Sequence, residues 1–287
     1  MFLTRRRISF FPVPRMIRIL AIVCVRNEEL HIKRCLEAFV HDGIDVILID
    51  NDSEDRTTAT ARDYLGQGLL SIRRQPWRGA FDLSEQLALK KAIVENADHD
   101  WIIHADADEW LRPSPTETSL AKAIRQVDAE GFNCIDFDEM VFVPATGDDF
   151  AHDGYVREMT TYYFFQPSRP RLMRAWRRDL DADSQSTGGH VIHAANLRLY
   201  PRNFILRHYV ALSRAHAAKK FIGRRYADTD LAKGWHARRR AIAPAELTLS
   251  QSPYLKHLPR WDSQDFDRST PAPTHFWQWR EPSPPAP

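Results

Sequence analysis

Asp106 and Asp108 stand two residues apart, one residue beyond the strand-like run at 101–104, and Glu109 follows them. Two carboxylates so spaced at a strand end can be aimed at one hard divalent ion. Magnesium and manganese take one or two carboxylates, keep several waters and draw the rest of their shell from substrate phosphates. Two more polar clusters follow apolar runs upstream: Arg26-Asn27-Glu28 after 18–25, and Asp50-Asn51-Asp52 after 46–49. Carboxylates gathered in one place repel unless a cation joins them or one keeps its proton. Solvated turns with helix caps have the same composition, so the weight rests on three clusters all falling at strand ends.

The elements that must position these residues are legible as alternating periods. Residues 18–25 form a β-branched apolar run, and Ile32, Cys35 or Leu36, and Phe39 or Val40 then recur as a helical face that stops at Gly43. A second strand is predicted at 46–49. Ser53 and Asp55 are N-cap types for a helix over 57–65, closed by Gly66 and Gly68. A strand at 69–72, a helix at 83–94 and a strand at 101–104 complete the alternation. Such a pattern predicts a parallel sheet with crossover helices, whose strand ends share one edge where ligands bind. A helix near 117–128 and a longer strand at 134–143 follow. Short strands and loops are expected over 146–187, and basic helices over 213–226 and 231–242.

With 43% hydrophobic and 27% charged residues among 287, the chain is excluded from the disordered class. Its net charge of +2 does not suggest a nucleic-acid partner. That balance hides a polarity: residues 42–109 carry 15 acidic and 7 basic side chains, whereas 160–242 carry 17 basic and 5 acidic. An acidic half facing a basic half suits a site that handles both a metal and an anion. Cys24, Cys35 and Cys134 have neither zinc spacing nor a disulfide framework, which points to a reducing, cytoplasmic setting. No apolar run reaches the roughly 18 residues that span a bilayer, although peripheral membrane contact stays open. Arg5-Arg6-Arg7 before Phe10 and Phe11 resembles a twin-arginine signal, but Pro12, Pro14, Arg15 and Arg18 interrupt any apolar core. Residues 1–15 read as a mobile extension, with Met16 a possible natural start, and 270–287 as a Pro-rich tail.

The ordered set AIVCVRNEE, VILIDNDSEDRT and DWIIHADADEW resembles the family-two glycosyltransferases over residues 17–111. The resemblance implies an α/β, GT-A-like fold: a Rossmann-type, mostly parallel central sheet flanked by helices, with a smaller irregular acceptor-side part and basic C-terminal helices. It implies a nucleotide-sugar-binding half at 16–130 and an acceptor-side half at 131–269. The activity implied is transfer of a sugar from a nucleotide-diphosphate donor to an acceptor hydroxyl, with inversion, using manganese or magnesium. By the same likeness Arg26, Asn27, Glu28, Asn51 and Asp52 line the nucleoside pocket, Asp106 lies by the ribose, and Asp108 ligates the metal together with Asp106. Two places depart from the family pattern. Asn51 stands where a second Asp is frequent, and Ser84-Glu85-Gln86 where relatives often show Ala-Arg-Asn.

An inverting displacement needs a base for the acceptor hydroxyl proton. The candidates are His190, after Gly188-Gly189, and the strand-end acids Asp138 and Glu139. The glycines would let backbone approach a ligand closely. A C-terminal His often completes the metal shell in GT-A enzymes, and His208, after an apolar run, is the choice here. Arg207, Arg214, Lys219, Lys220, Arg224 and Arg225 are available to grip diphosphate, or form a solvated helical face. Trp176, Trp235 and Tyr209 are available to stack on a sugar or to fill the core. The acceptor is a glycan, a lipid or a small molecule. Two rival functions remain: a nucleotidyltransferase, whose usual Gly-rich phosphate loop is missing after the first strand, and a non-catalytic nucleotide- or sugar-binding module.

Overall fold

The computed structural model describes residues 16–114, 119–145, 147–236, 238–239, 242–247 and 252–279. The 1–15 extension and the last part of the Pro-rich tail lie outside them. The first half alternates strictly: β1 (Ile19–Val25), α1 (Ile32–His41), β2 (Asp45–Asp50), α2 (Thr57–Arg62), β3 (Leu69–Arg74), α3 (Leu83–Glu95), β4 (Trp101–Asp106). β1 pairs in parallel with β2 on one side and β4 on the other, and β2 pairs in parallel with β3. The order β3-β2-β1-β4 therefore reverses direction between β1 and β4, and the crevice beyond their carboxyl ends is the expected ligand position.

β1 is apolar throughout because both of its faces are covered. Ile19, Ala21, Val23 and Val25 pack with Leu36 and Phe39 of α1, while Leu20, Ile22 and Cys24 pack on the opposite side with Leu89 and Ile93 of α3. Each fully buried aliphatic side chain contributes about 1.5–3 kcal/mol. The predicted elements of this half appear with small changes at their ends, the largest being α2, which closes at Arg62 rather than 65. The next helix is α4 (Leu120–Ala129), with Ser119 as its cap accepting from the amide of Lys122; the predicted start near 117 lies outside the described residues.

The second half is more regular than the sequence predicts. β5 (Glu109–Arg112) turns straight back after β4 and pairs antiparallel with β9 (Phe204–His208). β6 (Cys134–Phe142) carries β7 (Thr161–Phe165) and β8 (Met173–Arg177) as antiparallel neighbours and β9 as a parallel one. β8 also pairs with β4, so one continuous sheet joins the halves, and β10 (Lys256–His257) edges it on β7. A single turn, α5 (Tyr155–Glu158), precedes β7. The expected basic helices are shorter: α6 (Arg214–Phe221) and α7 (Asp228–Ala232). Gly223 and Gly234, at φ +71° and +79°, follow their ends in the left-handed region where a right-handed helix cannot continue. Residues 272–279 pack inward, with Ala272, Phe276 and Trp277 buried beside Phe165 and Phe221. Among the described residues no helix is long and apolar enough to cross a membrane.

Asp230 locks the halves together. Fully buried on α7, its carboxylate accepts from the amides of Leu83 (2.6 Å) and Ser84 (3.2 Å) and from Ser84 Oγ (2.5 Å) at the start of α3. An acid there satisfies orphan amides and complements the positive helix end. Asp230→Ala is expected to lower unfolding free energy by about 1–3 kcal/mol. Equal urea midpoints for wild type and variant would show that this cap is dispensable.

Candidate active site

The turns after β1 and β2 are stitched to each other before they reach any ligand. Arg26 donates to the carbonyls of Asn51 (2.6 Å) and Asp52, and its guanidinium lies 3.9 Å from the ring centre of Trp77. Asn27 Oδ1 accepts from the amide of Glu54 at 2.8 Å, and the Glu28 amide donates to Thr57 Oγ1 at 2.8 Å. Asn27 and Asp52 adopt φ +57° and +52°, a region that Asn and Asp enter more readily than other side chains. Neither lines the main cleft. Asp52 instead holds Arg74 (2.5 Å) and the amide of Trp77 (2.9 Å), and the Arg74 hydrogen bond brings its carboxyl down to about 2.

The main cleft, of about 530 Å³, is lined by all three strand ends through Arg26, Glu28, Asn51, Asp106 and Asp108, and by His190, His208 and Lys220 from the second half. Asn51 donates its amide to the carbonyl of Gln75 at 3.0 Å, leaving Oδ1 buried without a hydrogen-bond partner among the described residues. Asp108 is buried, with Oδ2 lying 3.2 Å from His208 Nε2 and 2.7 Å from Lys220 Nζ. The other ring nitrogen, His208 Nδ1, is 2.7 Å from Glu139 Oε1. Burial alone would raise the Asp108 carboxyl, but Lys220 and His208 overcome it and hold it well below the usual range. Burial likewise opposes charge on His208, yet Asp108 and Glu139 outweigh it and push the imidazole up to about 10.

Asp106 points away from this hub. Its side chain is 46% exposed and stands 3.7 Å from Arg174, which also pairs with the buried Glu109. Burial raises Glu109 and Glu28 to about 7 each, against the opposing pull of Arg174 and Lys220 respectively. The fold thus brings Asp108 and His208 together but sets Asp106 to one side. Among the described residues no three His, Cys, Asp or Glu side chains gather as a closed metal cage.

The base candidates separate clearly. His190 lines the cleft with its ring open to it, while surrounding protein and then Arg171 and Arg174 push its pKa well below the ordinary imidazole value. Glu139 also lines the cleft, but its carboxylate is committed to His208 and to Arg171 at 3.4 Å. Alternation along β6 turns Asp138 to the opposite face, where Asn203 (2.9 Å) and Arg268 (2.7 Å) hold it. Gly188 and Gly189 both line the cleft, at φ +66° and +82°, and a Cβ on Gly189 would come 3.0 Å from Leu87.

Of the basic candidates, Lys220 and Arg224 line the cleft, and Lys219 and Arg225 line an adjoining one. Arg207 is buried elsewhere, donating to the carbonyls of Trp261 and Ser263 at 2.5 Å each. Trp176 and Tyr209 are core side chains, and Trp235 alone of the three aromatics reaches the cleft. Arg171, Arg174 and the buried pair Gln86 and Lys90 also line the cleft, although the sequence did not mark them as partners of the acids. Residues 171–178 hold four arginines, so nothing in the sequence singled out Arg174.

The sequence model of the Glycosyl transferase family 2 matches residues 20–183. Over 113 residues the chain is 26% identical to the SPbeta prophage-derived glycosyltransferase SunS of Bacillus subtilis (strain 168), and equally to glycosyltransferase SunS of Bacillus phage SPbeta. These stretches cover 39% of this chain and only 25% of each relative, so the match spans about a quarter of their length. Among solved structures, S. aureus TarS aligns with a TM-score of 0.43 at 11% identity, covering 74% of this chain and 41% of that one. TarS 1–349 in complex with UDP-GlcNAc aligns at 0.41 and 12%, covering 67% and 58%.

Because the folded-state pKa of His208 is raised, its ion pairs contribute fully below pH 6.5 and lose their effect as pH rises toward about 10. In chelated buffer the His208 ring protons should show no titration between pH 6 and 8 by NMR. Glu139→Gln should move the midpoint downward; a wild-type midpoint near 6.5 would contradict the double ion pair.

Proposed function

The chain belongs to glycosyl transferase family 2, and on that premise we propose that it transfers a sugar from a nucleotide-diphosphate donor to an acceptor hydroxyl with inversion. One observation carries the reading: the ends of β1, β2 and β4 open on a single cleft whose opposite wall is basic. We assign the nucleoside end of the donor to residues 16–130, and acceptor binding together with the basic wall facing the diphosphate to 131–269. Asn51 Oδ1, buried and unpartnered, supplies an acceptor for a nucleobase N–H, and Arg26 shapes the same wall. Arg171, Arg174 and Arg224 place positive charge where the leaving diphosphate gains negative charge. His190, kept neutral by its surroundings, takes the acceptor hydroxyl proton on a ring nitrogen.

The donor set fits a hard divalent cation. Asp108 and His208 Nε2 are adjacent, and Glu139 behind Nδ1 is the carboxylate that commonly orients a ligating imidazole. Two protein ligands suit manganese or magnesium, which complete their shell with phosphate oxygens and water, and Asp106 stands next along the turn. A cation held there would neutralise the diphosphate leaving group. Cys24, Cys35 and Cys134, all buried and unpaired, support a cytoplasmic setting.

A thermal-shift panel of nucleotide sugars with and without manganese tests the reading: the true donor should raise Tm by mass action. No response from any nucleotide sugar would remove it. Asp108→Ala should abolish metal-dependent binding of nucleoside diphosphate while the fold survives; unchanged calorimetric affinity would contradict the assignment. His190→Ala should lower kcat by roughly 10²–10⁴-fold with donor affinity retained. Because the His190 pKa lies below the ordinary value, wild-type kcat should hold as pH falls through 6.5. An acid limb at or above neutrality would assign the base elsewhere.

A further inference from the structure

Lys220 occupies a position that its sequence neighbours do not predict. From α6 its ammonium reaches 2.7 Å from Asp108 Oδ2 and 3.4 Å from Glu28 Oε1, with the side chain only 13% exposed. Asp108 Oδ2 is the same oxygen that faces His208 Nε2 at 3.2 Å. A metal bridging Asp108 Oδ2 and His208 Nε2 would use the oxygen the ammonium already holds, and the two positive charges would then lie within a few ångströms in a poorly solvated cleft. At such separations like charges repel strongly. Lys220 also lines the adjoining cleft of about 400 Å³, which it shares with Arg26, Glu28, His216 and Arg224. Its four-carbon stem therefore has open space on two sides, and its head can leave Asp108 without unfolding α6.

Resting on the metal reading of Asp108 and His208, we infer that Lys220 and the divalent cation are alternative partners of Asp108. The cation alone is a poor competitor, because it must strip an ammonium from two carboxylates and leave that charge unpaired. Arriving with a diphosphate, it brings the anion to which the displaced ammonium transfers. Lys220 thereby couples metal entry to donor entry, and the site discriminates the metal–diphosphate complex from the free ion.

Titration of the full chain with Mn²⁺ alone, followed by electron paramagnetic resonance, tests the exchange. Lys220→Met should bind Mn²⁺ at least roughly tenfold more tightly than wild type. Lys220→Arg, which keeps the charge, should show no such gain, and adding Asp108→Asn to Lys220→Met should erase it. Lys220→Gln is measured alongside as a milder change, with thermal melting to show that each variant is folded. Equal and measurable affinity in wild type, Lys220→Met and Lys220→Gln overturns the exchange while leaving the metal at Asp108 and His208. Absence of Mn²⁺ binding in all of them removes the metal reading and the exchange together.

Discussion

Acid crowding governs this structure. Glu28, Asp106, Asp108, Glu109 and Glu139 all line one cleft, and all but Asp106 are largely withdrawn from water. Uncompensated, that arrangement would either protonate or push the strand ends apart, since isolated charges are costly to bury. Each acid meets a cation from the second half of the chain: Lys220 on Asp108 and Glu28, Arg174 on Glu109 and Asp106, Arg171 and His208 on Glu139, although burial still lifts Glu28 and Glu109 to about 7. The charge polarity along the sequence is therefore a division of labour across the cleft.

Such ion pairs do little for net stability, because desolvating both partners offsets most of their attraction. Their value is positional. They are held by elements whose own stability comes from elsewhere, chiefly the doubly covered β1 and the apolar faces of α1 and α4. The continuous sheet matters for the same reason. β8 pairs with β4, so Arg174 stands on a strand directly beside the one that ends in Asp106. β9 pairs with β5, setting Glu109 opposite His208 in register. Backbone hydrogen bonds thus fix the spacing of these charges.

Pre-neutralisation also affects what the cleft can accept. Its acids and the arginines beside them are already paired, so an incoming cation meets Lys220 as a competitor for Asp108.

The alternation of the first half was readable residue by residue, because strand and helix periods are local properties and the clusters at 26–28, 50–52 and 106–108 punctuate them. The gathering of those clusters at one edge followed from the parallel order alone. The second half resisted because its strands are paired over long separations, as between β6 and β9, and because Gly223 and Gly234 cut the basic helices short. Within the site, sequence spacing suggested that Asp106 and Asp108 would act together, whereas the turn sends Asp108 to His208 and Lys220 and leaves Asp106 near Arg174. It placed Asp138 and Glu139 in one role, although strand alternation separates them onto opposite faces. The chain's local patterns determined which elements form and where the acids fall along them. Which cation answers each acid was decided only by tertiary pairing, because a charge's partner depends on distance in space, and residues 108 and 220 are neighbours only once the sheet has closed.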